Sequence, residues 1–208
     1  MTSNHRLILA VSNVRLPAGL KQTSFLPLAE DEMWATLREA GAWLGPRSQL
    51  EDMPEFRQII PYVALKCDDR FVRYTRTSAG GEGRLHGRVS IGLGGHVDLS
   101  DIVVSGDHVD LVRTLDDAAR REVDEELLGV HALSRRWVGL LVDNDNPVGR
   151  VHIGVVALWE LASAPHGSAE DAIGDWGLAT LAELQADDAR LETWSSLLVS
   201  RWVGSGIP

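Results

Sequence analysis

The sequence predicts an α/β protein, a mixed sheet flanked by helices in an α/β/α sandwich. Three observations predict it. Apolar runs rich in Val, Ile and Leu recur at residues 7–11, 58–66, 136–142 and 151–161, bounded by turn-forming residues, as buried strands are. Longer segments at 30–44, 114–129 and 191–203 carry apolar residues at helical spacing. Helices are therefore interspersed among groups of strands along the chain, which sets helices against a mixed sheet.

Residues 7–11 are the first strand, followed by a loop holding Pro17, Gly19 and Pro27 and by a helix over 30–44 that Gly45 and Pro46 end. Trp34, Leu37 and Trp43 are spaced to pack on one side of that helix, as core or as a partner interface. Residues 1–56 read as an N-terminal extension packed on a second part, 57–208, where the extension covers the sheet or builds a homodimer. Runs 58–66 and 70–75 meet at Asp68 and Asp69, a hairpin signal. Alternation along the second run puts Arg73 and Arg76 on opposite faces. Residues 78–83 form a Gly-rich turn expected to be mobile. Arg84, His86 and Arg88 follow and offer basic groups to a phosphate, or a solvated rim. The apolar run that starts at Ser90 then breaks at Gly94 and Gly95, where either the backbone approaches something closely or a bulge needs positive φ. His96 next to them reads equally as a support to a nearby site and as a loop histidine packed on the following segment.

The most informative segment is 114–129. Thr114 with Asp117 three residues on is a helix cap with its reciprocal partner, Ala118 and Ala119 favour helix, and Gly129 suits the left-handed position beyond a helix end. At about 100° per residue, Glu122, Glu125 and Glu126 share an arc of roughly 100° on one face. Three carboxylates so placed repel one another unless a cation or basic partner is present, and hard cations such as Mg²⁺ prefer oxygen ligands. Ala119, Val123 and Leu127 line the neighbouring stripe, so the helix can rest on a core and lean its acids into a cleft. The alternative is a solvated acidic face without function.

Beyond this helix, 136–142 and 151–161 are strands around an acidic, turn-prone loop at 143–147, with His152 on a sheet face. Residues 165–174 are a loop and 191–203 a closing helix with Trp194 and Trp202 as core. The chain has 208 residues, 30 acidic against 20 basic and a net charge of −10, which gives no basic footprint for stable nucleic-acid binding. No apolar run approaches the roughly 18 residues of a membrane span, and the start lacks a signal-peptide core, so no membrane partner and a cytoplasmic location are expected. Cys67 is the single cysteine, which excludes internal disulfides and a thiolate zinc cluster and leaves a small buried side chain.

Paired glycines followed by Ala118-Ala119 and then Arg121, Glu122, Val123, Glu125 and Glu126 resemble the Nudix (MutT-like) box, in which a glycine and a glutamate precede an Arg-Glu-aliphatic-x-Glu-Glu helix. The second half matches except that Leu128 stands where the family has glycine and Gly129 comes one residue late. The first half departs further: Arg113 stands at the box glutamate, and Gly95 and Arg121 are 26 residues apart, about a dozen more than the pattern has. An insertion within 98–112 accounts for the excess, and Asp107 or Asp110 there are replacements for the absent glutamate. Residues 59–65, 83–87 and 148–154 extend the likeness over roughly 57–165, to a bacterial branch of predicted MutT-like phosphoesterases with a Gly-Gly-His turn and a long box insertion.

The resemblance implies the Nudix α/β/α fold and a Mg²⁺- or Mn²⁺-dependent hydrolase that splits a diphosphate bond in a phosphorylated small molecule, a nucleoside diphosphate derivative. It places the metal on Glu122, Glu125, Glu126 and the Gly94 carbonyl, with Glu125 or Glu126 as base and Arg121 orienting them. A further carboxylate would come from Asp143, Asp145 or Glu160, and Arg84, His86, Arg73 and His96 are the candidates for holding substrate. The alternative, motivated by Arg113 and the altered spacing, is a Nudix-fold module that binds a nucleotide or partner with weak or no catalysis. Isoprenoid diphosphate isomerisation, on the same fold, is disfavoured because Cys67 lacks an evident acid partner.

Overall fold

The computed structural model describes residues 6–77, 83–168 and 173–206, the Arg84 side chain excepted. The Gly-rich turn expected at 78–83 lies, but for Gly83, outside the described residues. The chain divides into two compact units, one of residues 1–62, 94–120 and 137–156 and one of 63–93, 121–136 and 157–208. Strands of a mixed sheet and helices make both, an α/β protein as the sequence predicts.

In the first unit β1 (Leu7–Ser12), β2 (Ser24–Pro27) and β3 (Ala42–Pro46) join the leading part of β4 (Phe56–Cys67). β1 lies antiparallel between β3 and β4, with Leu9 facing Leu44 and Ala10 facing Gln58. Ile8, Leu9, Ala10 and Val11 are all buried, which is why this run is apolar on both faces rather than alternating. The helix expected at 30–44 is α1 (Glu30–Ala40), shorter than predicted. Gly41 adopts φ +82 and turns its N–H onto the Leu37 and Arg38 carbonyls, a glycine termination that stops the helix before Gly45 and Pro46. Trp43 is thereby moved onto β3, where it is half exposed against Phe56, while Trp34 and Leu37 are core as predicted. Trp34 meets Trp137 edge to face with ring centres 5.4 Å apart. A single helical turn, α2 (Arg47–Leu50), follows β3.

In the second unit the trailing part of β4 turns at Asp68, φ +54, into β5 (Arg70–Arg76), the hairpin the sequence announces. β6 (Val89–Ser90) pairs with β5 and β7 (Gly92–Leu93) with β4. The insertion at 98–112, in the first unit, is structured: Asp98 and Asp101 form a reciprocal cap on a short 3-10 turn, and β8 (Val104–Ser105) pairs with β9 (His108–Val109). It leads straight into α3 (Leu111–Glu126), which starts three residues before the predicted cap. Asp110 is the capping residue, accepting from the Arg113 N–H at 3.2 Å. Thr114 is instead buried inside the helix, its hydroxyl accepting from the Val103 N–H at 3.0 Å.

α3 ends at Glu126, before the termination expected at Gly129; β10 (Leu127–Leu128) follows, and Gly129, with φ +73, lies beyond that strand rather than at the helix end. β11 (Ala132–Val142), α4 (Pro147–Arg150) and β12 (His152–Leu161) follow. The loop predicted at 165–174 contains β13 (Gly167–Ser168), antiparallel to β10, and ends in β14 (Ile173–Thr180), antiparallel to β5. Thr180 and Glu183 cap α5 (Leu181–Ala186) reciprocally, and Glu192 caps α6 (Thr193–Ser205). Trp202 stacks on Phe71 and is core, whereas Trp194 is half-buried. Cys67 is buried as predicted. Among the described residues no helix is long and apolar enough to cross a membrane.

Candidate active site

The acidic face of α3 sits beside a buried apolar stripe: Leu115, Ala118, Ala119 and Val123 are at most 1% exposed, so the helix has one allowed rotation about its axis. With that rotation fixed, Arg121 projects among the acids. One of its terminal nitrogens donates to Glu122 Oε1 at 2.7 Å and to Glu125 Oε2 at 3.2 Å. A single cationic nitrogen thus answers both carboxylates, and it relieves the repulsion that their spacing imposes. Glu122 is nearly buried and Glu125 half exposed. Glu126 lies further round, with one carboxylate oxygen shut off from solvent.

Behind Glu126 is a buried polar network that sequence reasoning missed. Tyr74, 2% exposed, donates its hydroxyl to the Gly92 carbonyl at 2.9 Å and accepts from an Arg76 nitrogen at 3.1 Å. Burial raises the phenol well above its ordinary value; Arg76 opposes this, and the charges of Glu126 and Glu192 add to it. Ser90 donates to the Gly92 carbonyl at 3.0 Å. Ser195 donates to Glu192 Oε1 at 2.5 Å and accepts from the Ile91 N–H at 2.9 Å. Glu192, at the start of α6, therefore anchors the strand residues 89–92. The only local signal was Glu192 three residues before Ser195, and a cap on a distant helix gives no hint that it also fixes this strand.

The remaining predicted residues are placed as follows. Arg73 forms an ion pair with Asp175 at 2.9 Å, His86 is exposed at the end of the 3-10 turn Gly83–Leu85, and the Arg84 side chain lies outside the described residues. Glu160 pairs with Lys66 at 3.6 Å. Gly94 belongs to the first unit. It and Gly95 do not take the positive φ that a turn would need. Close approach requires the glycine at 94 instead, because a Cβ there would stand 2.1 Å from the Pro61 carbonyl oxygen. Asp110, a candidate replacement for the box glutamate, is occupied as the cap of α3. Asp143 is buried, accepting from the Asp145 N–H at 3.0 Å and from Asn146 Nδ2 at 2.5 Å.

His96, also in the first unit, is hydrogen-bonded rather than packed on the insertion. Its Nε2 is 2.9 Å from Gln58 Oε1 and 3.1 Å from His152 Nε2. Burial first, then the positive charges around it, lower its pKa to about 3, so the ring is neutral at physiological pH. In the unfolded chain the same ring protonates near pH 6.5. Its contribution to stability is therefore complete above pH 6.5 and declines as pH falls, by about 1.4 kcal/mol per pH unit until the folded ring titrates. The expected result is a falling urea midpoint between pH 7 and 5 that His96→Leu flattens, while the His96 ring resonances of the native protein stay unshifted.

Among the described residues no three His, Cys, Asp or Glu side chains converge on a point where a metal ion would be held. On α3 one Arg121 nitrogen lies within reach of both Glu122 and Glu125. Glu122 and Glu125, two carboxylates that already share one cationic nitrogen, are nonetheless oxygen donors of the kind a hard divalent ion takes.

No protein-family model matches the chain. It is 36% identical to protein YmaB of Bacillus subtilis (strain 168) over 161 residues, 74% of either chain. Its structure is similar to that of Tm1382, a candidate Nudix hydrolase, with a TM-score of 0.76 at 24% identity over 95% of this chain and 98% of the other. A Nudix hydrolase from Nitrosomonas europaea aligns with a TM-score of 0.50 at 16% identity, over 72% of this chain and 90% of the other. At these identities the structural likeness speaks for the fold.

Proposed function

The chain belongs to the family of Bacillus subtilis protein YmaB and has the Nudix fold, and from that premise we propose that it is a divalent-metal-dependent hydrolase of a diphosphate bond. The substrate class is a phosphorylated small molecule, a nucleoside diphosphate linked to a second group. The observation that carries this reading is the shared contact of Glu122 and Glu125 with one Arg121 nitrogen, since acids that crowd round a single cation suit a cationic centre. Glu122, Glu125 and Glu126 would hold Mg²⁺ or Mn²⁺, which when bound would neutralise diphosphate charge and acidify a water.

The residues of the chain then divide the work. Glu125, half exposed, takes the proton of the attacking water and can return it to solvent. The water oxygen bonds to one phosphorus, the bridging P–O bond breaks, and the displaced phosphate leaves with that electron pair. Arg121 orients Glu122 and Glu125 through charge-assisted hydrogen bonds. Tyr74, kept protonated, and the Glu192 network hold strand residues 89–92 in place.

The test is release of nucleoside monophosphate or phosphate from dinucleoside polyphosphates and sugar nucleotides, with Mg²⁺, with Mn²⁺ and with chelator. Metal-dependent release supports the hydrolase. Nucleotide binding with no turnover on any substrate would instead support a binding module, the reading that Arg113 at the box-glutamate position favours.

A further inference from the structure

The His96 contacts in the first unit suggest a use of their own. His152 Nδ1 is 2.7 Å from the Val148 carbonyl oxygen, so Nδ1 carries the proton and donates it there, leaving the lone pair on Nε2. His96 Nε2 faces that lone pair at 3.1 Å and Gln58 Oε1 at 2.9 Å. Three electron-rich atoms meet, and one N–H at most lies among them; a single proton cannot serve two acceptors well. Gln58 is fully buried, and its amide turns the oxygen to the histidines although this leaves Nε2 without a hydrogen-bond partner among the described residues. An unmet buried donor costs about 1–3 kcal/mol, so this orientation needs a reason.

We propose that Gln58, His96 and His152 form a transition-metal site, taking Zn²⁺ or an ion of similar softness through His96 Nε2, His152 Nε2 and Gln58 Oε1. Zinc–nitrogen bonds of about 2.0–2.1 Å set two imidazole nitrogens about 3.3 Å apart in a tetrahedron. The histidine nitrogens already stand at nearly that separation. Binding displaces the one proton between them and gives the three lone pairs one shared partner. The Val148 carbonyl fixes the His152 tautomer, as such a second contact does for metal-bound imidazoles. His96 and His152 are each partly exposed. The chemistry separates this site from the acids of α3: imidazole nitrogen selects Zn²⁺, Co²⁺, Ni²⁺ or Cu²⁺, whereas Mg²⁺ takes oxygen. The site does not depend on the hydrolase reading.

The full chain, stripped with chelator and returned to buffer with excess Mg²⁺ to cover the acidic helix face, is titrated with Zn²⁺ in a calorimeter and with Co²⁺ in a spectrophotometer. We expect one equivalent of Zn²⁺ to bind, Co²⁺ to give visible bands of nitrogen ligation, and the His96 and His152 ring resonances of the wild type to shift on adding Zn²⁺. His96→Ala and His152→Ala lose this binding, Gln58→Leu weakens it at least tenfold, and Glu125→Gln keeps it. The wild-type resonances make the test independent of whether any variant folds. Zn²⁺ binding that leaves both rings unshifted, loss of it in Glu125→Gln, or no binding at all would overturn the proposal.

Discussion

Glu125→Gln is expected to lower kcat for metal-dependent diphosphate hydrolysis by about 10²–10⁴-fold, the usual effect of removing a general base, or about 2.7–5.5 kcal/mol of transition-state stabilisation. The substitution keeps shape and length and removes the charge, and with it the ability to take a proton, while the neighbouring Glu122 and Glu126 keep theirs for the metal. Fold stability should hardly move, because Glu125 is half exposed and its i,i+4 pair with Arg121 is worth a few tenths of a kcal/mol. Glu122→Gln provides the contrast. Glu122 is nearly buried and its charge faces Arg121 at 2.7 Å, so its loss should raise the metal concentration needed for half activity rather than act on kcat alone. Titrating Mg²⁺ against initial rate for wild type and both variants separates the two roles. Equal kcat for wild type and Glu125→Gln would remove Glu125 as the base.

The parts of this site that were legible in the sequence are those that a single helix encodes. Glu122, Glu125 and Glu126 share a face because 3.6 residues make a turn, and Arg121 meets Glu125 because they are four apart. No distant residue is needed for either statement. Helix ends are different. Asp110 and Thr114 are both good caps four residues apart, and the choice fell to Asp110 because Thr114 has a tertiary partner, the Val103 N–H, that local pattern does not reveal. The end of α1 was misread for a related reason: Gly41 and Gly45 are both plausible stops, and the first glycine to reach positive φ ends the helix. Tyr74 and Glu192 were invisible because their partners are far away in sequence, and nothing about a Tyr on an alternating strand tells it from ordinary core.

Arg57→Ala is expected to destabilise the protein by about 3–5 kcal/mol, the scale of stranding several buried hydrogen-bond acceptors at once, each worth about 1–3 kcal/mol. Arg57 is 2% exposed, and burial lowers its pKa from the ordinary arginine value. Its hydrogen-bond partners among the described residues are neutral oxygens. Its Nε donates to Asn13 Oδ1 at 2.8 Å, one terminal nitrogen to the Gly149 and His152 carbonyls at 3.0 and 2.9 Å, and the other to Asn144 Oδ1 at 2.5 Å. Four acceptors from three separate segments therefore converge on one planar fork. Cutting the side chain back to Cβ strands all of them and leaves a cavity that cannot close, since Gly149 already lies so near Asp143 that a Cβ would meet its carbonyl oxygen at 2.2 Å. Arg57→Lys keeps the charge but offers no fork, so it should recover less than half of the loss. Asn13→Ala removes one acceptor from the same network and should cost about 1 kcal/mol. Urea unfolding at neutral pH with an unchanged m-value would read all three. Should Arg57→Ala cost no more than Asn13→Ala, the segments around residues 13, 144 and 149 would be held by their own backbone bonds, and the guanidinium would merely fill space between them.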